Sequence, residues 1–252
     1  MTKEHLLQQL RDMGIRPDDN VMLHSSMRAI GTVEGGADTV IDTFMEYLSE
    51  GMFMTPTHTW KQMSGEYSVF DPSREPSCVG IISELFRQRE GVCRSLHPTH
   101  SIAAWGKGAP EYVQGEEQFH TPCDPDGCFG RLRGIHAKIL LAGVTHIKNT
   151  YIHSIEESFD VKERLTKEPT LFYVVKPDGS RLPVRMHRHY NSTTDHISES
   201  FDKLKDYYFE TGAAKEVLFG EAVSILCDAE KLFNATAAIL KDTPDYFIPY
   251  VL

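Results

Sequence analysis

Hydrophobic positions along the chain follow helical and strand-length patterns in turn. Leu6, Leu7, Leu10 and Met13 repeat at helical spacing and stop at Gly14, which predicts a first helix closed by a glycine cap. Residues 20–23 begin a buried strand that turns polar abruptly at His24-Ser25-Ser26-Met27-Arg28-Ala29-Ile30-Gly31. Behind Gly35 and Gly36, the spacing of Val40, Ile41, Phe44, Met45 and Leu48 predicts a helix. Residues 51–55, 101–105 and 139–144 are strand candidates, 79–87 and 149–159 read as helices, and 61–78 reads as a long surface loop. Two apolar runs around Pro177-Asp178-Gly179 predict a hairpin over 172–186. A helix over 195–209 follows, then one or two strands over 217–227 and a last helix N-capped by Asp228. With no repeat or linker, this order predicts one mixed α/β domain spanning 1–252.

Composition narrows the function. The 252 residues carry 26 Lys plus Arg against 36 Asp plus Glu, a net charge of −10, which argues against a nucleic-acid-binding surface. The longest apolar runs are too short to span a membrane, and the N-terminus has no secretory pattern, so a cytoplasmic location is expected. Five cysteines, an odd number, suit a reducing compartment. Twelve histidines are the unusual feature.

Several constellations could carry chemistry. Polar residues at the end of the first strand, followed by two glycines and a helix start, suit an anion through free backbone N–H groups, or simply make a tight turn. His153 and Glu156, three apart on a predicted helix, share a face, so the carboxylate can orient the imidazole as a general base; the same pair is also an ordinary surface contact. His97, His100, His120 and Cys123 could be read as four zinc ligands, although Pro98 stiffens the first pair. Cys123 or Cys128 could act as a nucleophile if its thiolate were stabilised. His187, His189, Asn191 and Asp195 form a polar cluster after the hairpin.

Taken together, these segments resemble the aminoglycoside 3-N-acetyltransferase family. The resemblance lies in 24–31 with 33–37, in Met54-Thr55-Pro56-Thr57, and in Arg94-Ser95-x-His97-Pro98 leading to 101–106. It continues through Gly130-Arg131-Leu132, 139–144 and Asn149-Thr150-x-x-His153-x-x-Glu156. It implies an acetyl-CoA-dependent N-acyltransferase with a three-layer α/β/α domain around a mixed, largely parallel sheet and a β-hairpin insertion. The family's catalytic histidine falls on His153 and its acidic neighbour on Glu156.

The resemblance places coenzyme A along His24, Ser25, Ser26, Met27, Gly31, Val33, Gly35, Gly36 and Thr57, with Ser95 and His97 as a further wall. The acceptor amine is expected near Trp60, Tyr67, His120, Asp124, His189 and Asp195. Backbone N–H groups of the glycine loop are expected to stabilise the oxyanion. No metal cofactor is expected, the partner is a small-molecule amine, and a homodimer is an allowed assembly. The family name points to an aminoglycoside, while His187, Arg188 and His189 suit a polycation poorly. A zinc hydrolase and a non-catalytic coenzyme A-binding protein are the competing classes.

Overall fold

A computed structural model describes residues 1–192, 194 and 196–248. In chain order the first half contains α1 (Lys3–Asp12), β1 (Asn20–Ser25), α2 (Met27–Ile30), α3 (Gly36–Tyr47), β2 (Met52–Pro56), β3 (Val69–Phe70), α4 (Ile81–Phe86), β4 (Cys93–Arg94), β5 (Ile102–Gly106), α5 (Ala109–Tyr112) and α6 (Cys128–Gly134). The second half contains β6 (Lys138–Ala142), α7 (Tyr151–Ser158), β7 (Thr170–Val175), β8 (Arg181–Met186), α8 (Lys205–Glu210), β9 (Ala214–Phe219), β10 (Ala222–Asp228) and α9 (Ala229–Asp242).

Seven strands form the main sheet in the order β4-β5-β2-β1-β6-β10-β9. It is mixed as expected, but the parallel part is narrower than predicted. Only β2–β1 and β1–β6 run parallel, and every other pairing in this sheet is antiparallel. The cause is connectivity: β10 and β9 form a hairpin against β6, and β5 returns directly beside β2.

Alternation along the central strands builds the two flanking layers. Val21, Leu23, Phe53 and Leu140 face a cluster with Leu6 and Leu10 of α1, Val40 and Phe44 of α3, and Phe86 of α4. Met22, Met54, Ile139 and Leu141 face the opposite cluster, which includes Phe129 of α6, Ile152 and Ile155 of α7, and Leu232 of α9. Helices on both faces give the three expected layers. The hairpin β7–β8 joins β3 in a separate three-stranded sheet with its own small core around Phe70, Phe172 and Val184.

Local signals decide most boundaries. Thr2 caps α1 by accepting from the His5 N–H, and Asp228 caps α9 by accepting from Lys231, as its position predicts. Gly14 takes φ +82 after α1. The helix expected over 195–209 begins only at Lys205, after a 3-10 turn over Phe201–Leu204, and Asp195 lies outside the described residues. The polar run after β1 is not a plain loop, because Ser26 caps the short helix α2 through the Ala29 N–H.

Candidate active site

The parallel strands β2, β1 and β6 all end on one edge of the sheet, where open α/β sheets place their ligands. A cavity of about 1020 Å³ opens there, reached by Pro56 at the end of β2 and His58 beyond it, by Ser25 and Ser26 at the end of β1, and by Val144 after β6. Asn149, Thr150 and His153 at the start of α7 form one side, and Arg188 to Asn191 after the hairpin form another.

Helix α7 sits in the core on almost every face, and residues 151–156 are all buried. Within it the three-residue spacing brings His153 Nδ1 to 2.9 Å from Glu156 Oε2. Oε1 of Glu156 accepts from Arg164 Nε at 2.8 Å, with Arg164 Nη2 also 2.7 Å away. The order is imidazole, carboxylate, guanidinium. Arg164 reaches back because Asp160 and Glu163 adopt left-handed backbone, with φ of +49 and +55, which reverses the chain after α7. It is then held by the Tyr190 N–H, which donates to its carbonyl, and by its own Nη1 bond to Ile197 O.

Burial, reinforced by the charge of Arg164, drives the His153 imidazole down to about 3, so it is neutral near pH 7. Burial pushes the Glu156 carboxyl up, and Arg164 opposes that push. A guanidinium does not shed its proton in a protein, and a neutral Glu156 would leave it buried without an ion-pair partner. The pair therefore persists as Arg164⁺–Glu156⁻. A carboxylate only accepts, so His153 carries its proton on Nδ1 and keeps the Nε2 lone pair.

Around His153 the wall is a row of imidazoles. The His189 ring lies 4.2 Å from His153, His100 lies 4.8 Å from His189, and His58 lies 4.5 Å from His100, all between centroids. Burial holds His189 at about 4 and His24 at about 3, and pushes His58 and His100 well below the ordinary value. The row is polar but uncharged.

Of the residues singled out from sequence, His24, Ser25, Ser26, Met27, Trp60, His153 and His189 line the cavity. Others do not, for local reasons. Ser95 is fully buried and its Oγ accepts from the Ile102 N–H. His97 spends Nδ1 on the Thr99 and His100 N–H groups and Nε2 on Thr121 O, so it is a wall post behind the cavity. Thr57 is buried against Ser101 and Arg94. Val33 packs in the core beneath α3, and Gly31 abuts Glu221.

Gly35 and Gly36 shape the entry to α3 away from the cavity, and the Gly36 N–H already donates to Val33 O. The expected oxyanion donors of the glycine loop are therefore not in the cavity lining. Tyr67 is exposed and bonds Glu75, His120 bonds Arg185 O at the surface, and Asp124 closes a turn through Asp126. The proposed four-ligand zinc set is not assembled, because His97 is saturated and His120 faces away. Cys123 and Cys128 are buried, and burial pushes both thiols well above their ordinary range, which disfavours a nucleophilic role.

Sequence reasoning missed Arg164, His58 and the α4 entrance, where Val79, Gly80 and Ile81 line the cavity. Gly80 takes φ +118, with open space where a Cβ would stand. Among the described lining residues the cations are Lys61, Lys148 and Arg188, and no carboxylate is present.

The model of a family described as aminoglycoside 3-N-acetyltransferase matches residues 22–241. The chain belongs to the aminoglycoside 3-N-acetyltransferase family. It is 26% identical to aminoglycoside N(3)-acetyltransferase IX of Micromonospora chalcea over 93% of this chain and 91% of that protein. It is also 26% identical to aminoglycoside N(3)-acetyltransferase IV of a Salmonella species, over 98% and 90%. Among solved structures, a mutant of the acetyltransferase AAC(3)-IVa in complex with gentamicin superposes with a TM-score of 0.85 at 24% identity, covering 99% of this chain and 92% of that one. AAC-IIIb in a binary complex with CoASH superposes with a TM-score of 0.83 at 18% identity, covering 100% and 99%. These structural likenesses show the shared fold, and family membership makes the chain an N-acetyltransferase.

Proposed function

We propose that the chain transfers the acetyl group of acetyl-CoA directly to an amine of a small molecule, with His153 as general base. What supports this reading is the His153–Glu156–Arg164 alignment at the wall of the large cavity. His153 Nε2 takes the proton of the amine as the nitrogen attacks the thioester carbon. The new C–N bond forms, the C–S bond breaks, and the proton on His153 passes to the departing thiolate. Glu156 steadies the transient imidazolium through Nδ1–H, and Arg164 keeps that carboxylate charged and in place.

Coenzyme A fits the rest of the cavity. The backbone at 25–27 and the open flank at Gly80 leave room for the pantetheine arm, and Lys61 and Lys148 supply positive charge for its phosphates. No covalent acetyl-enzyme is required.

By family and relatives, the acceptor is the 3-amino group of an aminoglycoside. A second reading, an amine with fewer positive charges, is favoured by one observation: the described cavity lining holds Arg188 and neutral imidazoles and no carboxylate. A thiol-release assay with acetyl-CoA against aminoglycosides and simpler primary amines separates the two. His153→Ala should abolish release with every acceptor while coenzyme A binding persists; turnover retained in that variant removes the assignment.

A further inference from the structure

Around His189, one ring of the imidazole row, three metal-binding side chains converge that take no part in the proton transfer. Sγ of Cys123, the carboxylate of Glu157 and an imidazole nitrogen of His189 lie within 4.8 Å of one another. Their side chains come from three separate segments: the loop before α6, the last turn of α7, and the strand-like stretch after the hairpin. The Cys123 N–H donates to Glu157 Oε1 at 2.9 Å, and His189 Nε2 lies 3.8 Å from the same oxygen. The Glu157 side chain is only 7% exposed, and its Oε2 is buried with no hydrogen-bond partner. A buried carboxylate oxygen left unpaired is costly, and it belongs to a carboxylate that already lies among a sulfur and an imidazole nitrogen.

We infer that Cys123, Glu157 and His189 form a zinc-binding site whose occupation inhibits acetyl transfer. The donor set is that of zinc rather than magnesium or calcium, because thiolate and imidazole select soft and borderline cations. On binding, the thiol proton leaves to solvent. Thiolate and carboxylate then balance the dication, so the buried complex is neutral. Three protein donors leave the fourth tetrahedral position open. His189 lines the cavity and its ring stacks against His153, so coordination fixes an imidazole that borders the base and places a dication one ring away from the reacting groups. Metal binding stands independently of the proposed mechanism; inhibition rests on the His153 reading.

The test uses the full chain freed of metal by a chelator. Calorimetric titration with zinc and elemental analysis after desalting should give one equivalent per chain, and cobalt(II) should produce thiolate-to-metal absorption in the near ultraviolet. Both signals should vanish in Cys123→Ser, and zinc affinity should fall at least about tenfold in Glu157→Gln. Turnover is followed through the acetylated product by mass spectrometry, because released coenzyme A itself binds zinc. Zinc should slow the native chain, chelator should restore it, and Cys123→Ser should acetylate normally without zinc and resist inhibition. Absence of binding by the native chain, or unchanged stoichiometry and affinity in Cys123→Ser, overturns the site. Binding with unslowed turnover overturns the inhibition and leaves the His153 mechanism to its own test.

Discussion

Arg164 contacts one oxygen of Glu156, Oε1, and leaves Oε2 to His153. The two demands on that carboxylate are therefore met by different lone pairs, and the guanidinium can hold its charge without competing for the imidazole.

Replacing Arg164 should damage chemistry more than cofactor affinity. In Arg164→Gln the burial that pushes Glu156 upward is no longer opposed, the carboxyl takes up a proton, and His153 loses its acceptor. We expect kcat to fall by roughly a hundredfold, the range of a weakened general base, with KM for acetyl-CoA nearly unchanged. The kcat profile should also gain a new dependence that rises with pH, while Arg164→Lys recovers part of the loss. A parallel rise in KM with an unaltered pH profile would assign Arg164 to structure alone.

Stability should fall steeply in mild acid. Burial depresses His24 to about 3 and His97, His146 and His189 to about 4. In the unfolded chain these imidazoles titrate near 6.5, so between the two values the unfolded chain binds more protons. Their contribution is complete above about pH 6.5 and is lost as pH drops toward about 4, at up to about 1.4 kcal/mol per pH unit for each. Urea unfolding midpoints at about pH 7.5 and about pH 5 check this; equal midpoints would mean the imidazoles are hydrated.

Arg94 should anchor the loop that carries Trp60. Its guanidinium donates to Pro72 O, Glu75 O and Thr57 O, and its Nε reaches Thr57 and Ser101. Arg94→Ala removes all of these and should cost about 3 kcal/mol or more. Hydrogen exchange should quicken over 61–78 and KM for the acceptor should rise. Protection unchanged in that segment would count against the anchor.

Gly130 should tolerate no side chain. It lies in α6, where a Cβ would overlap the backbone carbonyl of Pro125, an atom that cannot rotate away. Gly130→Ala should lower stability by about 3 kcal/mol, at the upper end of overpacking costs, in a thermal melt.

Much of this architecture is legible along the chain because its causes are local. Alternation in 20–23 and 139–142 separates the two sheet faces, and the spacing of His153 and Glu156 alone places them together on α7. Arg164 is not legible, since it is recruited by a reversal through two non-glycine residues and by pairing with the chain after the hairpin. Ser95 and His97 mislead for the opposite reason. They sit in a polar run that looks ready for a ligand, and their polar atoms are consumed by neighbouring backbone groups. The parallel share of the sheet is smaller than expected because strand direction depends on which neighbour each strand finds.

The small sheet β3-β7-β8 packs around its own cluster and shares no buried residue with the two clusters of the main sheet. Its exit supplies Arg188, His189 and Tyr190 to the cavity, whereas His153 hangs from α7 in the main core. The exit that lines the cavity is nonetheless stitched to the proton machinery, because the Tyr190 N–H holds Arg164 and the His189 ring packs on His153. Natural drift or deliberate grafting that recuts the hairpin must keep those two contacts, or it disturbs the array that moves the proton.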